Sequence, residues 1–371
     1  MTTDRAALVA ALQDLGEALL PTKLITPIGL EHHRVVLAAM LRDGDDGPYR
    51  EPFTFPDVDV PRVEAALAAV NEEAAPLPPE LKALVHTYAD ETSAQAAVIA
   101  SRDDARLTAW SVADSGLPTP ATLQVALDIL ERPVPLDEAS RTCDAYALEN
   151  AVHDALQRHG IEGWFTEINA GMAAMASVNG GQQRISIRAD VALTERDVRR
   201  LVAHEVGGHV LRWQNARRQP EPLVAFTFGN TPATEEGLAV LREREQGLES
   251  AENLRRYAVR VLGVVEAQHR GLLSLARFLL AYLDADDAAD LALRLRRGIT
   301  DPESPGGLTK DHGYLTGLLH LAERPADDIR LLRATKWGVD HLDIARQLLA
   351  DGRLSVTDVI EYVPSRGRWR P

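Results

Sequence analysis

Apolar residues recur at helical spacing along most of the chain, and proline-rich segments interrupt them. The segments at 25–30 and 48–61 are loop-like, and PLPP at 76–79 separates two further helical stretches. Proline ends helices because it lacks an N–H group and biases the preceding residue towards extended geometry. The pattern predicts a mainly helical N-terminal region, which we assign to residues 1–138.

The periodicity changes between residues 174 and 188. Two alternating segments, 174–178 and 184–188, flank the dipeptide Asn179 and Gly180. Asn-Gly between alternating segments is a strong signal for a two-stranded hairpin. We therefore predict a small antiparallel sheet of two or three strands, and an α+β fold that is mostly α.

A helix is expected directly after this hairpin. Thr194 followed by Asp197 is similar to a capping box, and apolar residues continue at helical spacing beyond it. From 234 to about 351 the pattern is again nearly all helical, with one Gly- and Pro-rich interruption at 299–315. Residues 139–371 are predicted to form a second region, packed as one unit.

The helix that follows the hairpin contains the segment HEVGGH, in which His204 and His209 are five residues apart. In an ideal α-helix, residues five apart point about 140° away from each other and cannot bind one metal ion. A π-bulge, which is frequent at functional sites, would bring the two side chains together. Gly207 and Gly208 occupy the place of such a bulge, and each costs a regular helix about 1 kcal/mol relative to Ala. We therefore predict a bulge near 205–208.

Zinc in hydrolytic enzymes is held by three protein side chains and keeps a fourth position for water. The downstream segment TPATEEGLAVLRERE (231–245) has Thr234 as a candidate helix cap, followed by Glu235 and Glu236. Either carboxylate could point at a metal from the positive end of this helix. Zinc lowers the pKa of its bound water to about 7, and Glu205 is the candidate general base. These residues predict a zinc-dependent hydrolytic centre.

Composition and charge exclude several classes of function. The chain has 371 residues, a formal net charge of −15 and one cysteine, Cys143. A strongly acidic chain is a poor ligand for nucleic acid or an anionic membrane surface, and a single cysteine excludes an intramolecular disulfide. The sequence has neither a stretch of about 20 apolar residues nor the pattern of a signal peptide. We expect a cytoplasmic protein that binds no nucleic acid and no membrane, of unknown oligomeric state.

The sequence around these residues resembles the family of microtubule-associated tyrosine carboxypeptidases and their bacterial relatives, the flavohemoglobin expression-modulating QEGLA-motif proteins. Three blocks carry the resemblance: HEVGGHVLRWQNARRQP (204–220), TEEGLAVL (234–241) and RRGITDPESPGGLTKDHGYLTG (296–317). Two further segments, ITPIGLEHHR (25–34) and ASRDDARLTAW (100–110), extend it over roughly residues 20–350. Two positions depart from the family pattern, since Gly29 stands where Asn is usual and Gly208 where Thr is common.

The resemblance implies a zincin-like metallopeptidase core in which His204, His209 and Glu236 hold zinc and Glu205 is the catalytic base. Glu235 would then support the site from outside the ligand set, or act as a charge at the helix N-terminus. The implied activity is hydrolysis of the C-terminal peptide bond of a peptide or protein, which removes Tyr from tubulin in the animal members. An aromatic C-terminus and the trimming of a ribosomally made peptide are both open for this chain.

A carboxypeptidase must bind the terminal carboxylate of its substrate, which Arg or Lys does through charge. The candidates are Arg297 and Lys310 in the Gly- and Pro-rich block, although Arg297 could equally end a solvated basic run near a helix C-terminus. Tyr314 is a candidate donor to the developing oxyanion, and Asn215 is a further substrate-binding candidate. The strand at 183–188 could bind an extended peptide along its edge.

Two other functions stay open. HEVGGH also fits the H-E-x-x-G-H pattern of dipeptidyl peptidase III, a zinc aminopeptidase, but that family has E-E-C-R-A-E where this chain has EEGLA. The second alternative is a non-catalytic regulatory protein that retains the fold, and the complete set of ligands and base speaks against it. Peptides with free and amidated C-termini would discriminate between these functions.

Overall fold

The structure is a computed structural model that describes residues 5–133, 141–170, 172, 174–229 and 231–365. It is mostly helical with one small sheet, which confirms the predicted α+β class. The helices before the sheet are α1 (Ala6–Ala18), α2 (Pro21–Leu24), α3 (Leu30–Asp43), α4 (Val60–Ala74), α5 (Pro79–Ser101), α6 (Asp104–Ser115), α7 (Pro120–Glu131) and α8 (Ala145–Arg158). The strands are β1 (Phe165–Asn169), β2 (Ala176–Asn179) and β3 (Arg184–Arg188).

The remaining helices follow the sheet in the chain. They are α9 (Glu195–Val202), α10 (Leu211–Arg217), α11 (Pro232–Glu245), α12 (Ala251–Ala267), α13 (Leu272–Leu279), α14 (Ala285–Leu295), α15 (Gly313–Ala322), α16 (Ala326–Ala334) and α17 (Leu342–Ala350). A π-helix (Ala203–Val210) joins α9 to α10, and 3-10 helices cover Pro222–Ala225, Lys310–His312 and Val339–His341. Over the described residues, each helix is too short or too polar to cross a lipid bilayer.

The chain forms two compact units, each made from several segments. Unit 1 comprises residues 1–127, 228–230 and 257–312, and unit 2 comprises residues 128–227, 231–256 and 313–371, insofar as these residues are described. The N-terminal segment therefore shares its unit with residues 257–312, which the sequence pattern assigns to the second region. The predicted boundary at residue 138 lies outside the described residues, and the division in chain order stays a prediction.

Unit 1 is built from amphipathic helices. α1 buries three leucines at helical spacing, Leu8, Leu12 and Leu15, and packs against α4. The carboxylate of Asp104, in the first turn of α6, accepts hydrogen bonds from the N–H and the hydroxyl group of Thr300. This contact joins the segment 100–110 to the block 296–317, two segments that carry the family resemblance.

The sheet belongs to unit 2 and has the strand order β1-β3-β2. β2 and β3 form the predicted antiparallel hairpin, with Val178 opposite Ile185. β1 runs parallel to β3, with Thr166 opposite the same Ile185, so the prediction of an antiparallel sheet is wrong and the sheet is mixed. The hairpin signal reports only strands that are consecutive in sequence, and β1 pairs with β3 past the intervening β2.

One apolar core holds the sheet and the π-helix together in unit 2. Ile185 and Ile187 of the central strand are fully buried and share this core with Leu148 of α8. Val206 and Val210 of the π-helix join the same core and are also fully buried. The π-helix is therefore anchored on its apolar side, and its polar side chains project from a fixed backbone.

Helices α11 and α15 cross at very close range in unit 2. A Cβ atom on Gly237 would lie 2.5 Å from the carbonyl carbon of Gly317, and a Cβ on Gly313 would lie 3.1 Å from the Cα of Ala233. Only small residues permit this approach, because real Cβ contacts are longer. The crossing fixes α11, which carries the EEGLA segment, against α15, which carries Tyr314.

Candidate metal centre

The segment that contains HEVGGH is a π-helix, as predicted, and it extends over eight residues. At its end the N–H of Leu211 donates to the carbonyl of Val206, five residues earlier. In this geometry residues five apart lie on the same side of the helix, because each turn holds one residue more than an α-helical turn. The imidazole rings of His204 and His209 accordingly have centroids 5.0 Å apart.

The two glycines of this segment permit close packing. A Cβ on Gly207 would lie 2.9 Å from the ring of Tyr362, and a Cβ on Gly208 would lie 2.7 Å from the Cβ of Ala239. Neither glycine has a positive φ, so neither is required by an unusual backbone conformation. These glycines therefore have a steric reason in addition to the distorted helix that the sequence predicts around them.

Helix α11 begins at Pro232, three residues earlier than the sequence pattern indicates. Proline is favoured in the first turn of a helix because N–H groups there have no partner within the helix, so the N–H that proline lacks is not needed. Thr234 lies inside the helix and its hydroxyl oxygen accepts a hydrogen bond from the N–H of Val339, so the prediction that Thr234 caps the helix is wrong. The earlier start places Glu235 in the first turn and Glu236 directly after it.

His204, His209 and Glu236 each bring one donor atom to the same place. The three donor atoms lie within 4.8 Å of one another. Oε2 of Glu236 is 3.4 Å from Nε2 of His204 and 3.9 Å from Nε2 of His209. In a tetrahedral zinc site with bonds of about 2.0–2.2 Å, two donors are separated by roughly 3.3–3.6 Å. The distance from Glu236 to His204 falls in this range and the distance from Glu236 to His209 is slightly longer, so the cluster is close in size to a zinc site.

Each histidine also contacts a second carboxylate through its other ring nitrogen. Nδ1 of His204 is 2.7 Å from Oε1 of Glu243, and Nδ1 of His209 is 2.8 Å from Oε1 of Glu235. An ionised carboxylate only accepts hydrogen bonds, so each Nδ1 donates to its carboxylate. Each Nε2 then faces Glu236. This is the arrangement that metal-binding histidines usually show.

The electrostatics of the cluster favour positive charge. Burial lowers the pKa of His204, but hydrogen bonds to Glu236 and Glu243 outweigh burial and raise the pKa to about 10. Burial raises the pKa of the Glu205 carboxyl above its ordinary value, against the opposing effect of His204 and His209. Carboxylates that stabilise a protonated imidazole would also stabilise a divalent cation bound at the same place.

Two cations hold Glu235 in addition to its contact with His209. Nζ of Lys336 lies 2.5 Å from Oε1 of Glu235, and the guanidinium of Arg212 donates to Oε2. Burial would raise the pKa of Glu235, but Lys336 and Arg212, together with His209, hold it well below its ordinary range. Glu235 is therefore ionised, which agrees with the supporting role that the family resemblance implies.

Two of the predicted substrate-binding residues, Tyr314 and Asn215, lie in unit 2, which also contains the His-His-Glu cluster. The ring of Tyr314 stacks on that of His204, with centroids 6.3 Å apart and planes 16° from parallel. The side-chain amide of Asn215 is buried; it donates to the carbonyls of Arg333 and Ile360 and accepts from the N–H of Ile360. Tyr314 thus lies beside the cluster, whereas Asn215 anchors the C-terminal segment.

The two predicted carboxylate-binding residues belong to unit 1. Arg297 follows the C-terminus of α14 and is only 8% exposed, so the alternative that it ends a solvated basic run is wrong. Lys310 begins a 3-10 helix, in which the neighbouring Asp311 accepts a hydrogen bond of 2.7 Å from Arg294. The binding roles of Arg297 and Lys310 stay predictions.

Glu243 and the cations around the site are not predicted from the sequence. Glu243 lies seven residues after Glu236, which is two helical turns, and this spacing could have placed both on one face of α11. Arg200, which donates to Glu243, lies one turn before His204, and this spacing could likewise have placed Arg200 and His204 on one face of their helix. Lys336 is 101 residues from Glu235, and no local pattern connects them.

Fold and cluster together define the class: a mostly helical α+β protein with a His-His-Glu candidate metal centre and a buried carboxyl group beside it. The model of the microtubule-associated tyrosine carboxypeptidase family matches residues 50–366 of the chain. The chain therefore belongs to this family, which confirms the resemblance found in its motifs.

Curated relatives are similar over a shorter segment. Microtubule-associated tyrosine carboxypeptidase 1 of Rattus norvegicus is 33% identical over 179 residues, which cover 46% of this chain and 37% of the relative. The Homo sapiens protein of the same name is 32% identical over 179 residues, covering 46% of this chain and 36% of the relative. The similar segment is thus little more than a third of the length of these relatives.

Proposed function

We propose that this protein is a zinc-dependent carboxypeptidase that removes the C-terminal residue of a peptide or protein. The convergence of donor atoms from His204, His209 and Glu236 within 4.8 Å, together with the buried carboxyl of Glu205, carries the proposal. Membership of the family and the names of the relatives support peptidase activity at a C-terminus. In this proposal unit 2 contains a zincin-like core.

His204, His209 and Glu236 are the residues that would hold the zinc. Imidazole nitrogen and carboxylate oxygen are usual zinc donors, and three protein donors leave a fourth position for water or substrate. The hydrogen bonds at both Nδ1 atoms support the use of Nε2 as the donor. When bound, zinc supplies a Lewis acid that polarises the scissile carbonyl and lowers the pKa of water.

Glu205 is the proposed general base. Its side chain is 5% exposed, and burial raises its pKa towards the working pH, which suits a group that accepts and returns a proton. Glu205 takes a proton from the attacking water and passes it to the leaving amine. Tyr314 is proposed to donate its hydroxyl hydrogen to the developing oxyanion, and its ring contact with His204 supports this role.

The proposed substrates are peptides or proteins with a free C-terminus, because the terminal carboxylate carries a negative charge that basic side chains can bind. Arg297 and Lys310 are proposed to bind the terminal carboxylate, which an amidated peptide lacks. The names of the relatives favour a tyrosine at the terminal position. Trimming of a ribosomally made peptide is the second substrate that we consider.

A peptide library with free and amidated C-termini tests the proposal. The zinc-loaded protein is incubated with the library and the products are identified by mass spectrometry. We expect single C-terminal residues to be lost, from free C-termini only. The Glu205→Gln variant should keep stoichiometric zinc and lower kcat by about 10²–10⁴-fold, because it removes the proton acceptor. Glu195→Gln, at an exposed site on α9, is the matched control and should keep full activity.

Three other outcomes would contradict the proposal or favour one of its alternatives. Wild-type protein that binds no stoichiometric metal contradicts the proposal. Release of dipeptides from N-termini would favour the dipeptidyl peptidase III alternative. Absence of cleavage by the zinc-loaded protein would favour a non-catalytic regulator.

A further inference from the structure

One helix, α11, contacts both histidines of the cluster with carboxylates that are not ligands. Glu243 contacts Nδ1 of His204, and Glu235 contacts Nδ1 of His209. The same helix carries Glu236, whose Oε2 lies towards both Nε2 atoms. Three acidic residues of α11 therefore surround the two rings, one at the metal side and two at the far side.

The spacing along α11 explains how one helix reaches both rings. Residues seven apart are separated by about 20° around the helix axis, so Glu236 and Glu243 share a face two turns apart. Glu235 is rotated by about 100° from Glu236 and approaches the second ring from another side. The π-helix brings the rings of His204 and His209 to 5.0 Å between centroids, close enough for one helix to serve both.

The contacts at Nδ1 decide which nitrogen of each ring can bind a cation. A cation needs the lone pair of a nitrogen that carries no hydrogen. Because Glu243 and Glu235 each accept the Nδ1 hydrogen, only Nε2 can supply that lone pair. Without these acceptors, either nitrogen could carry the hydrogen, and the ring would lose its preferred orientation.

Cations fix the two carboxylates in turn. Glu243 is 1% exposed, and Nη1 of Arg200 lies 3.4 Å from the same Oε1 that contacts His204. Glu235 accepts from Lys336 and Arg212 as well as from His209. Each carboxylate therefore has its charge compensated and its rotamer fixed before any metal arrives.

We propose that Glu243 and Glu235 are positioning residues that fix His204 and His209 with Nε2 directed at the metal. The inference rests on the proposed function in so far as it assumes a metal at this cluster. It adds Glu243 to the site and gives Glu235, whose supporting role the family resemblance implies, a defined contact with His209 that affects the affinity for the metal. Partners of this kind typically change metal affinity by about 10–100-fold.

Metal affinity, measured without substrate, tests the proposal. The dissociation constant for zinc is determined by competition with a chromophoric chelator for the wild type, Glu243→Gln and Glu235→Gln. We expect each variant to bind zinc about 10–100-fold more weakly than the wild type. The matched control is Glu245→Gln, two residues after Glu243 on α11, because Glu245 pairs with Arg242 and Arg333. The control should keep the wild-type affinity.

A second measurement separates positioning from a general loss of stability. In the zinc-loaded protein with ¹⁵N-labelled histidine, the Nδ1 hydrogen of His204 should be protected from exchange with solvent. Glu243→Ala, which removes the acceptor that a Gln amide oxygen would keep, should lose this protection while the backbone spectrum stays that of a folded protein. If this variant unfolds because Arg200 is left buried, the double variant Arg200→Gln with Glu243→Ala removes both charges and repeats the test.

The two proposals can fail separately. If Glu243→Gln and Glu235→Gln bind zinc as tightly as the wild type and Glu243→Ala keeps the protected hydrogen, the positioning roles are wrong and the proposed function is untouched. If the wild type binds no stoichiometric zinc, the proposed function itself is wrong, and the positioning roles fall with it.

Discussion

A Cβ atom on Gly317 would lie 1.8 Å from the carbonyl oxygen of Ala233. This oxygen belongs to the backbone of α11 and cannot rotate away as a flexible side chain would. The crossing of α11 and α15 therefore has no room for even one methyl group. Because Glu236 follows Ala233 by less than one turn of α11, the packing of Gly317 is linked to the proposed metal ligand.

We predict that Gly317→Ala separates α11 from α15 and weakens the metal site. Overpacking of this kind costs typically about 1–3 kcal/mol, and we expect the upper end because a backbone atom is in the way. Urea unfolding gives the free energy of unfolding, and chelator competition gives the zinc affinity; both should fall. The control is Gly16→Ala in α1, where an added Cβ meets nothing within 4 Å. It should keep the zinc affinity and raise the free energy of unfolding by about 0.5–1 kcal/mol, because Ala is the better helix former. Wild-type stability in Gly317→Ala would contradict the prediction.

We predict that Asn215→Ala lowers stability without changing KM. The substitution leaves the partly buried N–H of Ile360 and two carbonyls without the amide that now pairs with them. Unsatisfied buried polar groups cost about 1–3 kcal/mol in the free energy of unfolding. Gln347→Ala, which removes an exposed amide contact to Asp351, should cost less than about 0.5 kcal/mol. A raised KM with unchanged stability would instead support the substrate-binding role predicted for Asn215.

We predict a pH-dependent contribution from Asp197, the second residue of the capping box of α9. Burial would raise the pKa of Asp197, but hydrogen bonds from the N–H and hydroxyl of Thr194 outweigh burial and lower it below 3.8. A lowered folded-state pKa means that the ionised carboxylate stabilises the fold above pH 3.8, and that this stabilisation is lost as pH falls through the folded value.

Asp197→Asn should therefore be less stable than the wild type at pH 7, and the difference should shrink as the pH falls below 3.8. Urea unfolding of both proteins over this range measures it. Asp154→Asn, at an exposed position of α8, is the control. A difference that stays constant, or grows towards low pH, would show that the charge of Asp197 does not stabilise the helix.

Local constraints made parts of the site predictable from the sequence. Two histidines five residues apart can share one ion only if the helix contains an extra residue per turn, and the structure has this π-helix. The capping box of Thr194 and Asp197 and the hairpin of β2 and β3 were predictable for the same reason, since each depends on a few consecutive residues.

Features that depend on distant segments were not predictable in this way. The parallel pairing of β1 with β3 has no signal in either strand alone. The position of Lys336 beside Glu235 results from the packing of segments 101 residues apart. Gly207 and Gly208 stand out in the sequence, but the neighbours that leave no room for a side chain there, Tyr362 and Ala239, are brought close only by the fold.

The placement of Glu235, Glu236 and Glu243 on a single helix has a consequence for metal exchange. A rotation of α11 about its own axis would change the proposed metal contact of Glu236 and both histidine contacts at the same moment. A substitution that turns this helix would therefore weaken the proposed zinc contact of Glu236 and free both histidine rings together. The rate of zinc exchange is thus expected to measure the rotational freedom of α11 between the π-helix and α15.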